Sequence, residues 1–166
     1  MASFGPGDRT RPLTPPTPPI RCFSVPDLLV ASDAEWVVDE LRAAVEEPGT
    51  TVRWVRSGEA VARSVTEQAP DLVVLDLQIG NMGGMATCVH LHLEADAGRL
   101  PSMPVLMLLD RRADVFLARR SAAKGFVVKP LDPIRLRKAV TALLAGKRYE
   151  DPTGAPISVS VPTGVG

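Results

Sequence analysis

Cysteine and net charge are scarce in this 166-residue chain, and each shortage excludes a class of protein. Two cysteines, Cys22 and Cys88, cannot form the disulfide framework of a small secreted domain, so free thiols in a reducing compartment are expected. The 19 basic residues balance 19 acidic ones, whereas a general nucleic-acid binder carries a basic excess. No apolar run approaches the ~20 residues of a membrane span, and the N-terminus lacks an apolar signal sequence. We therefore expect a cytoplasmic globular protein.

Proline, by contrast, is abundant, and its distribution divides the chain. Seven of the 16 prolines lie in the first 26 residues, which predicts an extended, polyproline-like arm over residues 1–26. Residues 148–166 form a second tail that is punctuated by proline and glycine. Between them, residues 27–147 have the mixture of apolar and charged residues that is typical of one compact domain.

Within residues 27–147, short apolar runs alternate with segments whose apolar residues recur at helical spacing. The runs predict buried strands at 27–31, 51–55, 72–75, 104–109 and 126–128. Helices are predicted at 34–47, 57–68, from a glycine-rich loop at 80–84 to about residue 97, at 112–123 and at 133–145. This alternation predicts an α/β fold with a five-stranded parallel sheet, doubly wound with helices on both faces.

The residues that follow the predicted strands are candidates for function, because ligands of such sheets bind at the carboxyl ends of the strands. Asp76 ends the third strand, Asp33 follows the first, and Lys129 follows the fifth. Two carboxylates there can hold a hard divalent ion such as Mg²⁺. A lysine can pair with a carboxylate or with a phosphoryl group on it. A carboxylate nucleophile, a metal and a lysine are together what phosphorylation of an aspartate requires.

These residues resemble the receiver domains of two-component response regulators, which have a flavodoxin-like fold. The matching stretches are Leu75-Asp76-Leu77 with Gly84 eight residues after the aspartate, Pro104-Val105-Leu106-Met107, and Lys129-Pro130. The resemblance implies that Asp76 is the phospho-acceptor and Lys129 the family's conserved lysine. It also implies a weak metal site formed by Asp33, Asp76 and the carbonyl of Gln78. Phe126 stands three residues before the lysine, where the family carries an aromatic switch residue.

The chain departs from the family pattern at two positions that matter for switching. The family has two adjacent acids after the first strand, and here the pair is Ser32-Asp33. It has a serine or threonine at the end of the fourth strand, where this chain has Leu109. The missing hydroxyl would normally bond the phosphoryl oxygen, a charge-assisted bond worth ~1.5–3 kcal/mol. The resemblance therefore implies a retained acceptor and lysine with a degenerate phospho-switch.

Structural interpretations of the same residues remain open. Ser32 and Glu35 have the spacing of a capping box, so Ser32-Asp33 can be a helix cap. Asp76 and Lys129 can form an ion pair without any chemistry. Cys88, His90, His92 and Glu94 include pairs four residues apart on one predicted helix, but no further ligand cluster supports a metal site there.

The zero net charge hides a strong asymmetry. Residues 1–109 carry 8 basic and 14 acidic side chains, net −6, and residues 110–166 carry 11 basic and 5 acidic ones, net +6. In receivers, the usual docking face is formed by the fourth helix, fifth strand and fifth helix, and the basic excess lies there. A solvated helical face would have the same appearance. The candidate docking residues are Arg111, Arg112, Phe116, Arg119, Arg120, Lys124, Arg135 and Lys138.

Three functional hypotheses follow, of which the first is favoured. It is a single-domain receiver, of a kind that occurs in actinobacteria. Its N-terminal arm and basic C-terminal helices bind a larger assembly at the cytoplasmic face of a membrane. Its overall sequence is similar to a receiver-like accessory subunit of respiratory NADH dehydrogenase. The second is a phosphorelay protein that a histidine kinase phosphorylates on Asp76. The third is a small flavodoxin-like enzyme with a coloured cofactor. The C-terminal tail is too short for a DNA-binding module, so no output domain is expected.

Overall fold

The fold is known from a computed structural model that describes residues 25–45 and 49–154. Most of the predicted arm, including Cys22, and the last twelve residues of the chain lie outside this part. The strands are β1 (Asp27–Ala31), β2 (Thr51–Val55), β3 (Leu72–Asp76), β4 (Val105–Leu109), β5 (Gly125–Val128) and β6 (Tyr149–Glu150). The helices are α1 (Glu35–Val45), α2 (Gly58–Glu67), α3 (Gly84–Asp96), α4 (Val115–Arg120) and α5 (Pro133–Leu144).

All strands run parallel in one sheet of order β2-β1-β3-β4-β5-β6. Side chains of the central strands alternate between two layers, as the two-residue period of a strand dictates. One layer packs with α2, α3 and α4, and includes Leu29, Leu75, Met107 and Phe126. The other packs with α1 and α5, and includes Val30, Val74, Leu108 and Val127. The predicted doubly wound α/β class is confirmed.

The sheet has six strands, and the prediction of five was wrong. Tyr149–Glu150 pairs with Gly125–Phe126 at the edge of the sheet, within the segment that was assigned to the tail. A two-residue strand shows no periodicity in the sequence. It is held instead by the Asp151 carboxylate, which accepts hydrogen bonds from Val128 N–H at 2.9 Å and from Arg135 at 2.7 Å. Sequence position alone does not reveal these bonds.

Helix α4 is also shorter than the predicted 112–123. It begins after a 3-10 turn at Arg112–Asp114 and ends at Arg120. Ala122 then adopts a φ of 61°, a left-handed conformation that stops the helix without the usual glycine. Within the described residues, none of the helices has the length and apolar character that a membrane span needs.

Candidate functional site

Asp76 and Lys129 meet at the carboxyl edge of the sheet. Asp76 is the last residue of β3 and is 2% exposed, and Lys129 directly follows β5. The Lys129 Nζ donates hydrogen bonds to Asp76 Oδ1 at 2.9 Å and to Asp76 Oδ2 at 3.0 Å. The two residues are 53 positions apart in sequence, so it is the parallel order of β3, β4 and β5 that brings them together.

Two further donors complete the surroundings of Asp76. Ser32 Oγ donates to Asp76 Oδ2 at 3.0 Å, and the backbone N–H of Gln78 donates to Asp76 Oδ1 at 3.2 Å. With Lys129 bonded to both oxygens, each oxygen accepts two hydrogen bonds. A carboxylate offers about four lone-pair directions, so the Asp76 carboxylate is fully bonded in this conformation.

The Ser32 hydroxyl contacts Asp76 and the backbone of Ala34 rather than Glu35. It accepts a hydrogen bond from Ala34 N–H at 3.1 Å. The Ser32 carbonyl accepts one from the Trp54 indole at 2.8 Å. Ser32 is fully buried, whereas Asp33 beside it is exposed. The residue after β1 that points at Asp76 is therefore the serine.

Asp110 is the site residue to which sequence reasoning gave no role. It follows β4, and its Oδ1 accepts a hydrogen bond from Lys129 Nζ at 3.0 Å. Its Oδ2 is buried and has no hydrogen-bond partner within the described residues. The Lys129 ammonium thus donates to three carboxylate oxygens, which matches its three N–H groups. The available signal was an acidic residue directly after a buried strand at the same edge of the sheet.

The charges around Lys129 stabilise its protonated form. Burial lowers the pKa of Lys129, but the hydrogen bonds and charges of Asp76 and Asp110 outweigh it, and the pKa lies above its usual 10.5. The Trp36 ring centroid lies 5.6 Å from Nζ, within cation–π range. Trp36 is half exposed and lies beside Lys129, so its fluorescence can report on changes at the site.

Leu109 and Phe126, which the family resemblance relates to switching, lie within the core. Leu109, the last residue of β4, is 0% exposed and offers no hydroxyl to the site. Its carbonyl accepts the backbone N–H of Lys129 at 2.7 Å. Phe126 is 3% exposed and packs among the side chains of the α2–α3–α4 layer. The site therefore combines the Asp76–Lys129 pair with an apolar β4 end.

The carboxylates that could hold Mg²⁺ at this edge of the sheet pair with Lys129 in this conformation. Mg²⁺ is held through carboxylate oxygens in near-ideal octahedral geometry, and a cation at Asp76 would have to displace one of the donors that fill its lone pairs. Asp33 is exposed and Gln78 is exposed, so the implied ligands are at the surface of the pocket. Over the ranges that the structure describes, no group of three or more His, Cys, Asp or Glu residues is placed to hold a metal.

Helix α3 does not assemble a second metal site. His92 Nδ1 lies 2.8 Å from the carbonyl oxygen of Cys88, and Glu94 pairs with Arg99. Cys88 is a buried free thiol, and burial raises its pKa to about 11. Thiolate is the form that binds metals and attacks electrophiles, so burial disfavours both roles for Cys88.

The candidate docking residues differ in their ion pairs and in their exposure. Arg119 pairs with Glu150 at 2.7 Å, and Arg135 with Asp151 at 2.7 Å, so both hold β6 in place. Arg111 contacts Asp114 at 3.4 Å while remaining exposed. Phe116 on α4 is 57% exposed. The remaining candidates are exposed: Arg112, Arg120, Lys124 and Lys138.

Comparison with known proteins identifies the family to which this fold and site belong. The model of the response regulator receiver domain matches residues 28–141. The chain is 31% identical over 134 residues to the DNA-binding response regulator MtrA of Mycolicibacterium smegmatis, covering 80% of this chain and 55% of MtrA. It is 24% identical to Protein PilH of Pseudomonas aeruginosa, covering 72% of this chain and 98% of PilH.

Among solved structures, a LuxR-family two-component response regulator from Aurantimonas superposes with a TM-score of 0.68 at 28% identity. The match covers 78% of this chain and 92% of that one. The chain spans about half the length of MtrA, so only the part that the two share bears on this protein. The fold, the matched residues and the pairing of Asp76 with Lys129 agree, and the chain belongs to the response regulator receiver family.

Proposed function

We propose that this receiver acts as a protein-binding module of a larger assembly and that its phospho-switch is degenerate. The observation that carries the proposal is Leu109, a fully buried apolar side chain where the site needs a hydroxyl. A phosphoryl group on Asp76 would find Lys129 but no hydrogen-bond donor at the end of β4. Without that bond, phosphorylation has little differential interaction with which to move a two-state element.

The surface around α4 supports a docking role. Phe116 is a large exposed apolar side chain, and the exposed Arg120 lies on the same helix. Buried aromatic and arginine residues are typical anchors of protein interfaces. The basic excess after residue 109 favours an acidic partner surface. The function proposed is binding and not catalysis, in the cytoplasm at the face of a membrane complex.

The overall resemblance to an accessory subunit makes respiratory NADH dehydrogenase the first assembly to test. The tagged full chain would be mixed with the purified dehydrogenase, and the affinity measured by co-purification and interferometry. We expect Phe116→Ser with Arg120→Ser to weaken binding about tenfold or more, as loss of interface anchors does.

The matched control changes an exposed leucine and arginine elsewhere, Leu93→Ser with Arg63→Ser, on α3 and α2. It should bind like the wild type. Addition of beryllofluoride, a phosphoryl mimic, should also leave the affinity unchanged. Equal binding by both double variants, or no binding by the wild type, would contradict the docking surface. An affinity that changes severalfold with beryllofluoride would contradict the degenerate switch.

A second candidate function is a working phosphorelay receiver, and the geometry of Asp76 with Lys129 favours it. Here a histidine kinase would transfer a phosphoryl group to Asp76. Purified protein incubated with acetyl phosphate and Mg²⁺ would show the adduct by intact-protein mass spectrometry, and Asp76→Asn would not. This function also requires Leu109→Thr to strengthen the response, because it restores the missing hydroxyl.

A further inference from the structure

We propose that Asp110 is a positioning residue that holds Lys129 in place of a phosphoryl group and suppresses phosphorylation of Asp76. The inference deepens the proposed degenerate switch and rests on it. Asp110 is proposed to slow the phosphorylation of Asp76, whereas Leu109 is proposed to weaken the conformational response after phosphorylation. Asp110 is the one acidic residue, within the described residues, that shares the Lys129 ammonium with the acceptor.

The geometry gives Lys129 no free donor for an incoming phosphoryl oxygen. Its nitrogen lies 2.9 and 3.0 Å from the two oxygens of Asp76 and 3.0 Å from Asp110 Oδ1. Phosphorylation would require Lys129 to leave at least one of these oxygens. Asp110 therefore occupies the position on the ammonium that would otherwise be open to an anion.

The charge of Asp110 opposes the same step. Two carboxylates already share one cation, and the Asp110 Oδ2 atom is buried with no hydrogen-bond partner within the described residues. A phosphoryl donor brings further negative charge to this place. At the effective dielectric of a partly buried site, a unit negative charge several ångströms away slows such an approach by about tenfold or more.

The chemical step that Asp110 is proposed to slow is a simple acyl phosphate exchange. An Asp76 carboxylate oxygen forms a bond to the phosphorus of acetyl phosphate. The bond between phosphorus and the acetyl oxygen breaks, and acetate leaves with the electron pair. No oxidant, reductant or net proton is needed. All four lone-pair directions of Asp76 carry hydrogen bonds, so the attacking oxygen must first lose one of them.

The test compares rates of phosphorylation by acetyl phosphate with Mg²⁺, followed by intact-protein mass spectrometry. We expect Asp110→Ala and Asp110→Asn to react about tenfold or more faster than wild type, and Asp110→Glu to remain slow because it keeps the charge. Glu35→Ala, which removes an exposed acid at the start of α1 on the same edge, controls for net charge. Asp76→Asn identifies the modified residue.

Trp36 fluorescence gives a second readout, because a purely structural role of Asp110 predicts no change in emission when beryllofluoride is added. Beryllofluoride should change the emission of Asp110→Ala, since Lys129 beside the indole is released, at a concentration that leaves wild type unchanged. Equal rates for wild type and both neutral variants would overturn the proposal, as would an equal gain in Glu35→Ala. Asp110→Ala is expected to bind the dehydrogenase with the affinity of wild type. The two proposals are therefore tested separately: unchanged phosphorylation rates would overturn the role of Asp110 alone, and absence of binding would overturn the docking role alone.

Discussion

Removal of the Asp151 carboxylate should destabilise the whole sheet, although the residue lies in a segment that resembles a tail. Its side chain is 0% exposed. Oδ2 accepts from Val128 N–H at 2.9 Å and from the Arg135 guanidinium at 2.7 Å, and Oδ1 accepts from Thr153 N–H at 3.0 Å. Asp151→Ala leaves all three donors without this partner, one of them a buried backbone N–H.

The magnitude follows from the burial of the pair. Breaking a buried ion pair by removing one partner costs about 3–5 kcal/mol. Arg135 keeps hydrogen bonds to the Pro130 carbonyl and the Thr153 hydroxyl, so we expect the lower end, about 3 kcal/mol. Urea denaturation followed by circular dichroism would measure it. The matched control, Glu150→Ala, removes an exposed partner of Arg119 and should cost less than ~1 kcal/mol.

The pH dependence gives the same prediction a second test. Burial raises the pKa of Asp151, but the N–H groups of Val128 and Thr153, the Thr153 hydroxyl and the charge of Arg135 outweigh it, so the pKa lies below its ordinary 3.8. A lowered carboxyl pKa stabilises the fold above the ordinary value, and this stabilisation is lost as pH falls through the folded-state pKa. The gap between wild type and Asp151→Ala should stay constant near neutrality and narrow below about pH 3.8. A gap as small as that of Glu150→Ala would refute the reasoning.

Three further changes test the site. Lys129→Met should cost about 1–3 kcal/mol, because it leaves the Asp76 carboxylate without its cation. Since the pKa of Lys129 is raised, the difference in urea stability between wild type and Lys129→Met should persist below pH 10.5 and vanish as pH rises through the raised pKa. Gly84→Ala places a Cβ against the Asp76 carbonyl oxygen and should lower stability by ~1–3 kcal/mol. An unchanged stability would contradict that close contact. Leu109→Thr, which removes a fully buried leucine, should cost ~2–4 kcal/mol in thermal unfolding, and a neutral effect would mean that the β4 end is not packed.

The central strands were predictable because burial on both faces leaves a distinct pattern. A strand such as β3 must be apolar at every position, and Leu72–Leu75 is. Strand β6 was not predictable, because it is short and is held by Asp151 and Arg119 through contacts distant in sequence. The end of α4 was missed for a related reason. Ala122 takes a left-handed conformation, which sequence reasoning assigns to glycine.

The candidate site divides in the same way. Asp76 and Lys129 were found because one ends a strand and the other directly follows one, and parallel strands bring their carboxyl ends to one edge. Asp110 follows a strand too, but its role depends on how far the Lys129 side chain extends and which oxygens it reaches. Trp36 and Trp54 contact the site through a ring face and an indole N–H. No spacing in the sequence specifies such contacts.

The position of the acids around Lys129 links these observations. The family pattern has an extra acid after β1, and this chain has Ser32 there, whose hydroxyl donates to Asp76. The additional acid of this site instead follows β4, where Asp110 binds the lysine. A carboxylate after β1 attracts a cation toward the acceptor, whereas one after β4 competes with the acceptor for the cation already present. Lys129 then pairs with both Asp76 and Asp110 without an added ion. A conformation stabilised by its own ion pairs is better suited to constant docking than to a response governed by phosphorylation.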